Sequence, residues 1–547
     1  MLFVIQSNCR KKMYHMEYFN TKRFLFLVPA KECYAEFDKI DKFLSLLNES
    51  GIGEIIEKEK SNKGRYGYNP YNLVATIFYC FSQFRGTLRE IHQLCIFDLR
   101  VMYLMDQEIP SHNAIKECIN KYILPYQYEI FTMITKKIAE KFNLDLSNQY
   151  LDGTKMEANA NKYKFVHKPT TYHKKLNEKI KYLLVNDMNI EISNNNGLIK
   201  SNEFEQIIND YIVKENIDIN NIPSGKGKRL TKIQKNYKKA KEFLSKLLEY
   251  EYKEKICGEN RNSYYKTDID ATAMIFKKDY YSKNSKSFKA GYNFQALVSS
   301  GLIMMYGVFQ DRNDYYTLIP IIKLYKKYYK HYPKNLCTDA GYGIKDNYEF
   351  MLENNINNYV KFQSWEGEAS GKNPQLFYTF DDGVMCLNTC IGEIIPFDNK
   401  HKQRRKNTKL YKFIGCDNCN YTYICKKRLK NKNENFRLVE LDINYELYKE
   451  NARKNLLSSK GVEIRVNRSI QVEGTFGQIK QNMQYDRIRR RGIEKVKCEL
   501  MLMCLGVNFR KLFSMLDNEN NKSLYWENKD LKTEKFPTVK QKSKKGT

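Results

Sequence analysis

Gln149-Tyr150-Leu151-Asp152-Gly153 is the stretch on which the fold turns, a short β-prone run that stops on an acid followed by glycine. It reads as a strand ending on Asp152. A second run of the same form, Asn335 to Thr338, closes on Asp339 and leads into Ala340-Gly341-Tyr342-Gly343, a helix, and a strand at Asn358 to Phe362. Between the two, residues 288–309 alternate in strand fashion around Ser299-Ser300-Gly301, which reads as a hairpin, and Tyr315 to Tyr329 returns to a helix. Elements in this order predict an α/β chain with a mixed sheet flanked by helices. Asp152 and Asp339 would then project from one edge of that sheet.

Upstream, from Tyr34 to about Leu146, apolar residues recur at spacings of three and four, as in Phe37-Ile40-Phe43-Leu46 and Leu73-Ile77-Cys80, and predict short helices. Thr87 and Glu90 form a capping box, and Pro110-Ser111 announces another helix through Ile115 and Ile119. Such a pair fits either a helix-turn-helix-like DNA reader or a plain packing domain. A lysine-rich stretch at 160–262 follows the first strand as an insertion, with turns at Asn194-Asn195-Asn196-Gly197 and Pro223-Ser224-Gly225-Lys226-Gly227 and a charged helix from Thr231 to Lys255. A polar, cysteine-bearing segment at 365–465 makes a second insertion before a helix starting near Ser469. The expected organisation is a variable extension over 1–16, a helical N-terminal domain over 17–145, a catalytic domain over 146–515 broken by the two insertions, and a charged, disordered tail over 516–547.

Lysine and arginine total 93 against 63 aspartate and glutamate, a net charge of +30, so a polyanion is the expected partner. The 14 cysteines lack the dense spacing of a secreted scaffold, which points to a reducing cytoplasm. Basic residues follow the short apolar run Leu2 to Ile5 instead of preceding it, so no signal peptide is expected. The longest apolar run, around Leu73 to Phe81, falls well short of the ~20 residues that span a bilayer, and no membrane partner is expected.

A third acid, Glu473, lies in a helix whose buried stripe would be Val472, Phe476, Ile479 and Met483, leaving Gly477 and Lys480 on its own face. Three separated acids that converge could hold two Mg²⁺ or Mn²⁺ ions about 3.5–4 Å apart, the arrangement that serves phosphodiester cleavage. Lys480 could neutralise a phosphate beside them.

The segments LDGTKMEANANKYKFVHK from Leu151, CTDAGYG from Cys337 and RSIQVEGTFGQIKQNMQYDRIRRRG from Arg468 resemble, in order, the three signature blocks of bacterial insertion-sequence DDE transposases. The helical segment from Asn72 to Ile119 is similar to the N-terminal domain of the InsH-like branch of that family. The resemblance reaches from about Tyr18 to Phe513. It implies an RNase H-like catalytic core with Asp152, Asp339 and Glu473 as catalytic, metal-binding acids, and Lys480 on DNA. Of a tyrosine–arginine pair that precedes the third acid in some members, only Arg468 is present, and it too is assigned to DNA. The implied reaction is hydrolysis at the element's ends to free a 3′ hydroxyl, then attack of that hydroxyl on target DNA. The implied partners are double-stranded DNA and a second copy of the chain, in the bacterial cytoplasm at the nucleoid. Thr267-Asp268-Ile269-Asp270-Ala271 also resembles a family block, and its acids are read as structural or DNA-positioning.

Arg487, Arg489, Arg490 and Arg491 follow the third acid beside Tyr485 and read as a clamp on DNA ends, with the tyrosine ring able to stack on an unpaired base. Cys386, Cys390, Cys416, Cys419 and Cys425 gather five thiols, for which a structural Zn²⁺ and plain reduced thiols are the two readings. The alternatives to a transposase are a DNA nuclease that cuts without joining and an inactive DNA-binding regulator derived from a transposase.

Overall fold

The computed structural model describes residues 36–60, 67–191, 197–223, 229–259, 261–276, 287–372, 374–380, 383–398, 402–403, 407–417, 419–426 and 434–519. The expected extension at 1–16, the rest of 17–35, the turn residues 194–196, the loop residues 224–227 and residues 520–547 of the expected tail lie outside them, while 516–519, expected to be disordered, continue the helix Ile493–Glu519. The chain divides into two compact units, one drawn from Met1–Tyr122, Met133–Phe142 and Leu505–Thr547, the other from Ile123–Thr132 and Asn143–Cys504.

The first unit is built of helices. Asn69 caps the helix Pro70–Gln83 through the backbone NH of Tyr71, and proline opens the helix where its missing NH costs nothing. Every residue from Pro70 to Ser82 is buried, so this helix is the axis of the unit. Phe43, Phe78, Phe509 and Phe513 pack together, Phe43 meeting Phe509 edge-on at 4.9 Å. The Thr87–Glu90 capping box forms as the spacing predicts, and Ser111 caps the helix His112–Cys118.

The second unit is organised by a mixed sheet. Its strands in chain order are β1 (Asn148–Glu157), β2 (Phe165–His167), β3 (Ser263–Tyr265), β4 (Thr272–Phe276), β5 (Ser287–Ser299), β6 (Leu302–Phe309), β7 (Asn335–Thr338) and β8 (Asn357–Val360). Six of them form the central sheet in the order β4-β5-β1-β7-β8, with β6 also paired to β5. β5 and β6 are antiparallel across a turn in which Ser300 and Gly301 both take positive φ, the geometry that suits a two-residue hairpin loop. β1 is antiparallel to β5, whereas β1–β7 and β7–β8 are parallel. Residues 290–299 and 302–308 are buried without interruption, so the expected alternation gives way to strands covered on both faces.

β1 does not stop at Asp152. It continues to Glu157 because its ladder with β5 runs on from Tyr150↔Val298 to Glu157↔Gly291, although its pairing with β7 ends at Tyr150↔Cys337.

The lysine-rich insertion forms its own helical module. Helices Thr170–Tyr182, Ser201–Lys214 and Lys232–Cys257 bury Ile180, Phe204, Ile208, Leu244 and Leu247 in a separate core, and a Thr231–Gln234 capping box starts the last helix. Its two ends come together where β2 pairs with β3, His167 opposite Ser263. The second insertion contains a hairpin of β9 (Phe377–Phe380) and β10 (Gly383–Cys386), and a three-stranded sheet of β11 (Glu393–Ile395), β12 (Lys409–Ile414) and β13 (Phe436–Leu441). Among the described residues no helix is long and apolar enough to cross a membrane.

A module with its own core and adjacent ends should fold alone. A fragment of residues 169–258 is expected to be helical by circular dichroism and to melt cooperatively; a non-cooperative, coil-like signal would contradict this.

Candidate active site at the sheet edge

The register of β1 and β7 builds the site. Tyr150 pairs with Cys337 at the end of the parallel ladder; Asp152 lies two residues further along β1 and Asp339 directly after β7, close enough for the Asp339 charge to act on Asp152. That edge is where parallel strands leave room for a ligand. Asp339 turns its carboxylate onto its own chain, accepting from the Gly341 NH at 2.8 Å and capping the short turn Ala340–Tyr342. Asp152 accepts from the Gly153 NH at 2.8 Å and from Arg468 Nη2 at 2.8 Å.

Arg468 comes from a helical run that starts at Ser459, ten residues before the expected start near Ser469. Ser458 caps it through the NH of Gly461. The Asp152–Arg468 pair is largely enclosed, the side chains being 20% and 13% exposed, and Arg468 Nε is buried with no hydrogen-bond partner. Burial pushes the Asp152 carboxyl up to about 6, Arg468 opposes the rise, and the negative charges of Asp339 and Asp314 add to it.

Asp314 is a site acid that sequence reasoning missed. It follows β6 in the stretch Arg312-Asn313-Asp314-Tyr315, where no periodicity or strand end marks it. Its Oδ1 accepts from Asn293 Nδ2 at 2.8 Å and from Gln295 Nε2 at 2.9 Å, both buried polar side chains of β5. The only available signal was the pair of polar residues, Asn293 and Gln295, inside an otherwise apolar buried strand.

Glu473 does not join these acids and is exposed to solvent. The run that carries it widens into π-helical turns at Ser469–Glu473 and Gln478–Asn482, which rotate later residues away from the face that a regular α-helix would give them. Val472, Ile479 and Met483 are buried as expected, and Phe476 is half-buried against Phe294. Lys480 lies on β1, donating to Thr154 Oγ1 at 2.5 Å and to the Lys155 carbonyl at 3.2 Å, and burial lowers its pKa.

The expectation of a Mg²⁺ or Mn²⁺ pair on Asp152, Asp339 and Glu473 is corrected. Among the described residues no group of three or more His, Cys, Asp or Glu side chains is arranged to hold a metal ion. Asp152 is committed to Arg468, Asp339 to its own turn, and Glu473 stands apart in solvent. The zinc reading of the cysteines falls with it. Cys386, Cys416, Cys419 and Cys425 line one small pocket and Cys390 neighbours Cys386, but Cys390 and Cys416 donate to the carbonyls of Asn388 and Phe413. Burial raises the Cys416 and Cys425 thiols.

The arginine segment runs beside the end of β1. Ile488 NH donates to the Glu157 carbonyl, Arg487 reaches the carbonyls of Ala158 and Ala160, and Arg491 Nε donates to the Asn159 carbonyl at 2.8 Å. Buried Glu499 holds the segment, accepting from Tyr485 OH and from the backbone NH groups of Arg489 and Arg490. Tyr485 is therefore unable to stack on a base. It is 1% exposed, and the Arg489 guanidinium lies 5.2 Å from its ring centre. Asp268 and Asp270 accept from the backbone NH groups of Gly492 and Ile493 at the start of the helix Ile493–Glu519.

Residues 392–513 match the family model of a transposase DDE domain. The chain thus carries a DDE-transposase family domain over the part that includes Arg468, Glu473, Lys480 and the arginine segment, while Asp152 and Asp339 precede it. Neither the curated proteins nor the solved structures give a match.

Because the folded chain favours neutral Asp152, its carboxyl contributes stability fully below the ordinary value of 3.8, and that contribution is lost as pH rises through about 6. Asp152→Asn should therefore raise the melting temperature at pH 8, by a stabilisation on the order of 2 kcal/mol, and the difference should vanish below pH 4. Equal melting temperatures at pH 8 would contradict the burial of this charge.

Proposed function

We propose that the chain is a DNA transposase of the insertion-sequence type, which cleaves DNA at the ends of its element and joins them to target DNA. The observation that carries this reading is the 2.8 Å pair between Asp152 on β1 and Arg468, which lies within the transposase-domain match. It links the matched segment to the sheet edge that carries Asp152 and, just past β7, Asp339. The strand order β6-β5-β1-β7-β8, antiparallel on one side of β1 and parallel on the other, supports an RNase H-like core.

In this reading a phosphodiester of the strand end lies across the carboxyl edge of β1 and β7. A carboxyl near pKa 6 is suited to accept the proton of the attacking water, or of the 3′ hydroxyl in the joining step. The new P–O bond forms as the P–O bond to the leaving oxygen breaks. Arg468 holds the Asp152 carboxyl at 2.8 Å and puts a positive charge beside the reacting edge. Arg487, Arg489, Arg490, Arg491 and Lys480 would hold the flanking duplex, and two copies of the chain would pair the two ends. Glu473, exposed on the same helical run, would act only where DNA approaches it.

The test is cleavage and joining of a labelled duplex carrying the sequences that border the coding region, comparing wild type with Asp339→Asn. Joining by wild type and a loss of about 10³-fold or more in the variant are expected, since phosphoryl transfer depends on positioned charge. Cleavage without joining would indicate a nuclease, and binding with neither would indicate a regulator; both overturn the proposal.

A further inference from the structure

We infer that Asp314 is a positioning residue of this site, fixing a buried chain of side chains that ties the Asp152 strand to the Asp339 turn. The inference rests on the transposase reading.

Gln295 is the centre of that chain. Its Nε2 donates to Asp314 Oδ1 and, at 3.0 Å, to Asn293 Oδ1, while its Oε1 accepts from Tyr342 OH. Both amide hydrogens and the carbonyl are thus engaged, and flipping the amide would break all three interactions. Asn293, Gln295 and Tyr342 are wholly buried, where polar groups hold one arrangement firmly because no water competes for them.

The chain reaches both acids through glycines. A Cβ on Gly153, next to Asp152, would sit 2.0 Å from Gln295 Nε2 and 2.9 Å from Asp314 Oδ1. One on Gly341 would sit 2.9 Å from Asp339 Oδ1 and 3.8 Å from Asp314 Oδ2. The Asp314 carboxylate therefore occupies the space beside both Gly153 and Gly341. Asp314 is itself anchored, since its carbonyl accepts from the NH of Thr317 at 3.1 Å and from Thr317 Oγ1 at 2.8 Å. A second tie runs in parallel: Asn347 Nδ2 donates to the carbonyls of Tyr315 and Tyr342, joining the turn after β6 to the turn after Asp339.

This network places Asp314 one step behind the reacting groups. It sets the distance between two acids that the β1–β7 ladder no longer holds, because that ladder ends two residues earlier at Tyr150↔Cys337. One oxygen of Asp314 receives both amides, so an asparagine can keep the lock and an alanine cannot.

The experiment measures end binding and the rate of joining of pre-bound ends for wild type, Asp314→Ala, Asp314→Asn and Tyr342→Phe, with melting curves for each. Asp314→Ala should slow joining on the order of 10²-fold, the loss expected when reacting groups shift by about 1 Å, with the Kd for end DNA within about twofold. Asp314→Asn should join within about threefold of wild type. Tyr342→Phe, which removes only a hydroxyl and serves if the alanine variant does not fold, should slow joining about tenfold at unchanged Kd. Wild-type rates in Asp314→Ala or Tyr342→Phe would overturn the inference, as would an asparagine variant as slow as alanine. If wild type binds its ends and joins none, the transposase reading itself fails and this inference falls with it.

Discussion

The parallel pairing of Tyr150 with Cys337 is the constraint on which the site depends. Side chains on neighbouring parallel strands keep step, so one matched pair fixes every later one until the strands diverge. The ladder ends there, and Asp152, two residues on in β1, and Asp339, just past β7, are left at one edge, near enough for the Asp339 charge to raise the Asp152 carboxyl. Such a juxtaposition is unfavourable by itself, and the surrounding residues counter it. Arg468 pairs with Asp152, Asp339 is satisfied by its own turn, and Asp314 receives two buried amides. An arrangement that keeps carboxylates together at the expense of stability is characteristic of sites selected for chemistry.

Gly153 is the second element of the design. Its bare backbone allows the Gln295 amide to lie against β1, which an added Cβ would prevent at 2.0 Å. The polar side chains within β5 thereby reach across to the turn after β7. Antiparallel and parallel halves of the sheet are tied by side-chain hydrogen bonds at the level where the backbone ladder between β1 and β7 has ended.

Much of this was legible in the chain because local chemistry and tertiary structure agreed. Ser300-Gly301 marks a hairpin by residues that tolerate positive φ, Thr87–Glu90 marks a helix start by reciprocal capping, and Asn335–Thr338 forms the strand that closes on Asp339. Other features were hidden for physical reasons. Strand β1 extends past Asp152 because a distant partner, β5, supplies its hydrogen bonds, which no local pattern discloses. The buried stripe of the helix that carries Glu473 follows the spacing, but the contact of Lys480 with Thr154 on β1 depends on a distant strand. Tyr485 resembled an exposed aromatic among arginines, yet the hydrogen bond to buried Glu499 draws it into the interior. Asp314 sits in a polar connection, where an acid is ordinarily a solvated one, and only Asn293 and Gln295 give it a role.

If the edge carrying Asp152 and Asp339 receives the DNA strand end, cross-linking locates it most directly. A 4-thiothymidine at the terminal nucleotide of a duplex carrying the bordering sequences would be irradiated with the full chain, and the labelled peptides mapped by mass spectrometry. Labelling of peptides that contain residues 339–343 or 468–482 is the result this account predicts; labelling confined to the helices within residues 36–122 would contradict it.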